Sequence, residues 1–360
     1  MLVFGNRFDT SDILKELESS IKSGWIGCGS KVKSFESLFS ERYKKSFVMT
    51  NNGSNALFLA IELLDLPPGS KIALPSFTFE ACLNAIASRY EPIFCDVELN
   101  GNVSIGTLEP ILDKCDAVMV VHYGGRPVDI QPILATGKIV IEDVAHAVDS
   151  IIDSQRCGTF GHVSAFSFDP IKNIATPDSG GVLVSENQVI KSRALRNLGI
   201  SSAGHESEKS NWWENDILNR YIAKYLPNDV SAIFALEQLK NLESNQRKRR
   251  ELWDLYQNLL SELSFVIRES DIPADVQHSY FTYFLRVPQG RNDLAKYLRE
   301  NNVYTTLRFN PLHFNANFTH SNLNNTVILG REGLNLPLHP SLTSLDVERV
   351  VNLIKKWGKR

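Results

Sequence analysis

The chain has 360 residues, 43% of them hydrophobic and 22% charged, a composition that can fill a sizeable core and excludes disordered, collagenous and low-complexity classes. Its 38 Lys+Arg stand against 41 Asp+Glu, and a net charge of −3 is too near neutral to point to nucleic acid or an anionic membrane. A small-molecule partner is therefore expected.

The five cysteines, Cys28, Cys82, Cys95, Cys115 and Cys157, form no C-x-x-C pair, so neither a disulfide framework nor a zinc site is expected and the reducing cytosol is the expected compartment. The opening MLVFGNRFDTSD reaches Asp9 and Asp12 too early for a secretory leader, and no apolar run is long enough to span a membrane.

From about residue 47 to 190 short apolar runs alternate with helical patterns: SFVMT, GSNALFLAIELLDL, KIALPS, EPIFCDV, AVMVVHY, KIVIEDV, VSAFSF and GGVLVS. This is the grammar of a layered α/β/α domain, in which ligands sit at the carboxyl ends of strands. His122, Asp143 and Ser167 fall there. The polar stretch 201–216 reads as a loop, and VSAIFALEQLKNLESNQRKRRELWDLYQNLL reads as one long helix with apolar residues every three or four positions. Its run Arg247-Lys248-Arg249-Arg250, followed by Glu251 and Asp254, reads as a salt-bridged surface. Two strand-like runs, YFTYFLRV and VYTTLRF, then flank the helical RNDLAKYLRENN, and Ser344 is placed to cap a final amphipathic helix. The chain divides into a large domain, residues 1–245, and a smaller α+β domain, residues 246–360.

Three constellations carry chemistry. Asn51-Asn52-Gly53-Ser54-Asn55 opens a helix directly after a strand, where unpaired amides and the helix dipole favour a phosphate. Taken alone it reads first as an ordinary helix cap, since Asn and Ser are preferred there. Alternation along KIVIEDVAHA sends Glu142 and Asp143 to opposite faces, so Asp143 can meet a cationic ring nitrogen while His146 reaches a neighbouring oxygen. Lys172 follows Ser167 on a loop after the strand VSAFSF. A loop lysine, a phosphate-binding serine and an acid for a pyridine nitrogen together match the needs of pyridoxal phosphate.

The segments Gly24-Trp25-Ile26, Gly53-Ser54-Asn55-Ala56-Leu57, Pro75-Ser76-Phe77-Thr78-Phe79, Val121-His122-Tyr123-Gly124-Gly125, Glu142-Asp143-Val144-Ala145-His146, Gly158-Thr159-Phe160-Gly161, Phe166-Ser167-Phe168 through Lys172-Asn173, Gln238-Leu239, Pro311-Leu312-His313 and Leu336-Pro337-Leu338-His339-Pro340 stand in the family order of the DegT/DnrJ-type nucleotide-sugar aminotransferases. The chain resembles that family over nearly its whole length. The resemblance implies the aspartate-aminotransferase fold, with a mixed central sheet and a small C-terminal domain.

It further implies that Lys172 is the lysine joined to the cofactor and the proton shuttle, that Asp143 meets the pyridinium nitrogen, and that His146 meets the phenolic oxygen. Phe79 would stack on the ring, and Ser54, Asn55 and Ser167 would hold the phosphate. Where the family sends a residue to the neighbouring subunit's phosphate, this chain has Lys224. Trp25, Arg308 and His313 would face the substrate, Arg308 toward a nucleotide diphosphate. Ser179 stands where an acid usually precedes the paired glycines, Asp169 where an aromatic or histidine is common, and neither is given a role. The implied reaction moves an amino group, with glutamate as donor and pyridoxamine phosphate as the intermediate form, to C3 or C4 of a nucleotide-linked keto-deoxysugar. A homodimer with shared sites, and a place in lipopolysaccharide or O-antigen biosynthesis, come with that reading. A sugar 3-dehydratase would carry histidine in place of Lys172, and a non-catalytic relative would have a damaged site.

Overall fold

The structure, a computed structural model, describes residues 4–200, 211, 213–214, 217–218, 222–314, 319–320 and 322–360. In chain order the elements begin with α1 (Thr10–Lys22), α2 (Ser30–Tyr43), β1 (Ser46–Thr50), α3 (Gly53–Glu62), β2 (Lys71–Pro75), α4 (Glu80–Ala87) and β3 (Glu91–Cys95). They continue with α5 (Ile105–Leu108), β4 (Ala117–Val121), α6 (Gln131–Leu134), β5 (Ile139–Asp143), the small hairpin β6 (Ile151–Ile152) and β7 (Gln155–Arg156), β8 (Val163–Ser167), β9 (Gly180–Val184) and α7 (Val189–Leu195). The remainder is α8 (Asp229–Lys240), α9 (Leu242–Leu260), β10 (Ile267–Arg268), β11 (Tyr283–Arg286), α10 (Arg291–Glu300), β12 (Thr319–His320), α11 (Asn324–Glu332), β13 (Gly333–Leu336) and α12 (Ser344–Trp357).

The central sheet runs β1-β9-β8-β5-β4-β2-β3, with the two-residue β12 added at its edge. All neighbours pair in parallel except β9, which is antiparallel to both β1 and β8, so the sheet is mixed as expected. Alternation divides its side chains between two layers: Val48, Ala165 and Val182 pack under α3 and α4, whereas Phe47, Met49, Phe166 and Leu183 pack with α2 and α8. Both faces are covered, which is why these strands read as nearly continuous apolar runs. The second layer centres on Phe39, whose ring lies 4.4 Å from Phe47, 4.5 Å from Tyr43 and 5.2 Å from Phe166.

A separate apolar core joins α9, α10 and α12 to the antiparallel sheet β10-β11-β13, through Leu252, Tyr256, Tyr283, Leu298, Leu336 and Val350. Its residues run from Leu252 to Ile354, while α9 itself crosses residue 245 and β12 returns to the large sheet.

Four expectations are corrected. The long helix is two, broken at Asn241, whose side-chain amide donates to the carbonyl and carboxylate of Glu237 and so competes with the helical ladder. VYTTLRF forms no strand, only an isolated bridge between Thr306 and Asn335 on the open flank of β13, because the next N–H of the same parity, that of Arg308, is taken by the Asn335 side-chain oxygen instead of a β13 carbonyl. Thr343 rather than Ser344 caps α12, since Asp346 lies three residues on and completes the reciprocal box. Within the basic run, Lys248 and Arg250 do pair with Glu251 and Asp254, but Arg249 is buried and donates to the carbonyls of Leu338, Tyr280 and Phe281. The expected loop 201–216 lies outside the described residues apart from 211, 213 and 214.

Truncating Phe39 to alanine removes a ring that five aromatic neighbours enclose. Phe39→Ala is expected to cost ~3–5 kcal/mol, read as a lower urea midpoint of the cofactor-free protein.

Candidate active site

β5 ends on Asp143, β8 ends on Ser167, and the turn after β1 opens α3 at Gly53. These three carboxyl ends surround a cavity of ≈ 320 Å³ lined by Ser54, Phe79, Asp143, His146, Ser167, Lys172 and Arg308, together with Asn52, Gly53, Thr78, Asp169, Asp178 and Phe309. A Cβ on Gly53 would sit 2.5 Å from the Ser167 Cβ, and one on Gly180 would sit 2.7 Å from the Gly53 nitrogen. Only glycine permits the start of α3 to lie so close to the strand ends, and this leaves its amides open to the cavity.

Asp143 is held twice. Its Oδ1 accepts from the Ala145 N–H at 2.9 Å, and its Oδ2 accepts from the Cys82 thiol at 3.1 Å. Burial and the carboxylate itself push the Cys82 thiol well above its usual pKa, so it stays a donor. On the other face of β5, Glu142 accepts from His122 and from the Gly158 N–H at 2.6 Å; this carboxylate braces the fold away from the cavity.

His146 stacks on Phe281, centroids 4.1 Å apart, and burial next to Lys172 and Arg308 drives its pKa far down. The ring is neutral. Its Nδ1 accepts from the Gly124 N–H at 3.3 Å, which assigns the proton to Nε2 and makes that nitrogen a donor. Lys172 lies 4.8 Å from the Phe281 centroid, and its pKa is lowered to about 8 by burial first and by Arg308 second, against the opposing pull of Asp143. Its carbonyl accepts from Asn6, whose side-chain oxygen accepts in turn from Arg249; that arginine thereby ties α9 to the lysine loop.

Lys172, Asp143, His146, Ser54, Ser167, Phe79 and Arg308 thus share one cavity. Phe79, 50% exposed, stands at the N-terminus of α4 beside Phe309 rather than in the core. Asn55 does not line the cavity: its side chain donates to Asn51, and its N–H is taken by Asn52. Lys224 is exposed and bridges Asn197 through its backbone, outside this cavity. Trp25 bonds the Cys28 carbonyl and lines a separate surface hollow with Gly29 and Asp229. His313 bonds the Ser76 hydroxyl at 2.7 Å beyond the cavity wall. The carboxylate near the paired glycines is Asp178, one residue ahead of the Ser179 singled out by sequence; the Ser179 hydroxyl is buried against Thr176. Sequence reasoning missed Asp178, Thr78 and Phe309 as lining residues, and only the first carried a signal, as an acid next to two glycines.

A carboxylate, a neutral imidazole donor, an amine of lowered pKa and an open helix start are the donor set that pyridoxal phosphate requires. Residues 8–355 match the DegT/DnrJ/EryC1/StrS aminotransferase family. The chain belongs to that family. It is 34% identical, over 93% of its length and 91% of the relative's, to a dTDP-4-dehydro-2,3,6-trideoxy-D-glucose 4-aminotransferase of Saccharopolyspora spinosa. Among solved structures, the aminotransferase TlmJ from Streptoalloteichus hindustanus superposes with a TM-score of 0.91 at 32% identity, covering 99% of this chain and 98% of that one. A Streptococcus pneumoniae protein solved in PMP form shares the fold with a TM-score of 0.91, at 21% identity over 99% of this chain and 98% of its own; it has also been solved in PLP form. This DegT/DnrJ/EryC1/StrS member is an aminotransferase that uses pyridoxal phosphate.

A lysine must be neutral to attack the cofactor's aldehyde, and a depressed pKa makes that fraction appear at lower pH. Capture of pyridoxal phosphate by the cofactor-free protein is expected to accelerate through a midpoint near pH 8 in stopped-flow absorbance, rather than near the ordinary lysine range. Arg308→Met should move that midpoint upward.

Proposed function

We propose that this aminotransferase transfers an amino group from glutamate to the C4 or C3 keto group of a nucleotide-linked deoxysugar. The observation that carries the transfer chemistry is the meeting of Lys172 and Asp143 in one cavity at the ends of β5 and β8. The sugar class rests on membership of the family and on the relative from Saccharopolyspora spinosa.

When bound, pyridoxal phosphate supplies an electron sink for the pair of electrons left when the α-proton departs. The chain's own residues do the rest. Lys172 Nζ, with a pKa of about 8, has a usable neutral fraction near neutral pH; with the cofactor bound it would be the group that takes the proton from the donor's α-carbon and gives it back. Asp143, fixed by Cys82 and Ala145, would hold a proton on the ring nitrogen. Neutral His146 would donate through Nε2–H to the phenolic oxygen. Ser54 and Ser167 would seat the phosphate at the start of α3, Phe79 would cover the ring, and Asn55 is assigned to packing that turn. For the acceptor the same residues run in reverse.

A homodimer with shared sites fits this reading. Lys224 and Trp25 are exposed and lie outside their own subunit's cavity, on surface that a second subunit would cover. We propose the same two-domain division at residue 245, with the core from Leu252 to Ile354 belonging to the smaller domain.

Lys172→Ala should abolish turnover, a drop of at least ~10³-fold given the usual worth of a positioned acid–base group with its covalent link. The direct test adds glutamate to the holoenzyme and follows conversion to the pyridoxamine absorbance, then adds nucleotide keto-sugars and follows its return. Full activity of Lys172→Ala, or no conversion of the wild-type enzyme with any amino acid, would refute the function.

A further inference from the structure

Arg308 is the cationic side chain that the cavity keeps once Lys172 is committed to the cofactor, because His146 is neutral and the other described lining residues are acidic, polar or apolar. It is only 8% exposed. A buried guanidinium costs several kcal/mol unless oxygens receive its N–H groups. Yet among the described residues its side chain makes one hydrogen bond, from Nε to the Thr306 hydroxyl at 3.3 Å. No acceptor there meets either terminal nitrogen. The fork is instead held by packing: its carbon Cζ lies 4.5 Å from the Phe4 centroid and 4.9 Å from the Phe281 centroid. Its backbone is pinned as well, since the Arg308 N–H donates to Asn335 Oδ1 at 2.9 Å and its carbonyl accepts from the Tyr123 hydroxyl. A fixed planar fork with two open nitrogens is built for a planar anion.

We propose that Arg308 receives the α-carboxylate of the amino donor. This rests on the aminotransferase reading and deepens it. Two anions could claim the fork, a carboxylate or the diphosphate of the nucleotide-sugar, and covalent geometry separates them. The α-carboxylate is bonded directly to the carbon whose proton Lys172 removes, so its anchor must lie deep and beside that lysine. The diphosphate is separated from a C3 or C4 keto carbon by the width of a pyranose ring and belongs at the mouth. Arg308 packs against the same Phe281 ring as Lys172, behind a nine-tenths buried surface. The depth matches the carboxylate better than the diphosphate that the family resemblance implies for Arg308. Its charge also lies close enough to help lower the Lys172 pKa, so a carboxylate seated on the fork would neutralise that influence at the moment of donor binding.

The test uses three probes on the holoenzyme. Glutarate, which carries carboxylates and no amine, reads binding alone by calorimetry. Glutamate and 4-aminobutyrate, which differ by the α-carboxylate, read the donor half-reaction. The nucleoside diphosphate reads the other claimant. In Arg308→Gln, glutarate affinity and the preference for glutamate over 4-aminobutyrate should each fall at least ~10-fold, the least expected from losing a two-pronged charged contact, and nucleoside diphosphate affinity should fall far less. Arg308→Lys, which keeps charge but not the fork, should recover part of the preference and guards against a folding artefact. A preserved preference with weakened nucleoside diphosphate binding would overturn the proposal, as would no change in either, which would leave Arg308 as a packing strut. Failure of the wild-type enzyme to form pyridoxamine with any amino acid would instead sink the aminotransferase reading, while Arg308-dependent glutarate binding would still report the carboxylate seat.

Discussion

An amine moved out of water beside a guanidinium loses its proton more readily than one in solvent, and the whole site is arranged around keeping Lys172 in that state. Burial supplies the larger push and Arg308 the smaller, while Asp143 pulls the other way. Were the carboxylate to win, Lys172 would be a locked ammonium with no lone pair for chemistry. Asp143 is meanwhile held in place, since the Cys82 thiol and the Ala145 amide engage its two oxygens. A buried, protonated thiol is thus a working part of the site, although nothing reactive is asked of it.

The fold supplies this arrangement through the sheet's two-sided burial. Because strands alternate, adjacent acids at the end of β5 serve different ends: Glu142 braces the loop at Gly158 and receives His122, and Asp143 faces the cavity. β9, the one antiparallel strand, brings Gly180 against Gly53 and Ser167, and that glycine contact is what opens the first turn of α3. The smaller core reaches the site less directly. Arg249, buried in α9, holds the carbonyls of Tyr280 and Phe281 and, through Asn6, the lysine loop, so the aromatic ring shared by His146, Lys172 and Arg308 is positioned from the second core.

Much of this was legible without coordinates. The apolar runs named all seven main strands, since strands buried on both faces leave an unbroken apolar record. Lys172, Asp143 and Ser167 could be singled out as polar groups just after such runs, and His146, Ser54 and Phe79 because they stand with them in the order of the family's motifs. Errors gathered where local pattern and tertiary context disagree. The helix period continues straight through Asn241, and only its side-chain bonds to Glu237 reveal the break. Arg249 sits among charged neighbours, and no sequence signal distinguishes the one whose side chain turns inward.

Chain order and residue chemistry by themselves determined the layered α/β/α class and the cofactor, and singled out the lysine proposed to bind it, because these depend on periodicity and on functional groups carried at strand ends. The tertiary structure alone decided that Arg308 lies deep beside Lys172, that Cys82 orients Asp143, and that Asn55, Lys224, Trp25 and His313 stand outside the cavity of their own subunit. Those facts depend on which distant segments meet and on how much water their meeting excludes, and neither is written in the spacing of residues along a chain.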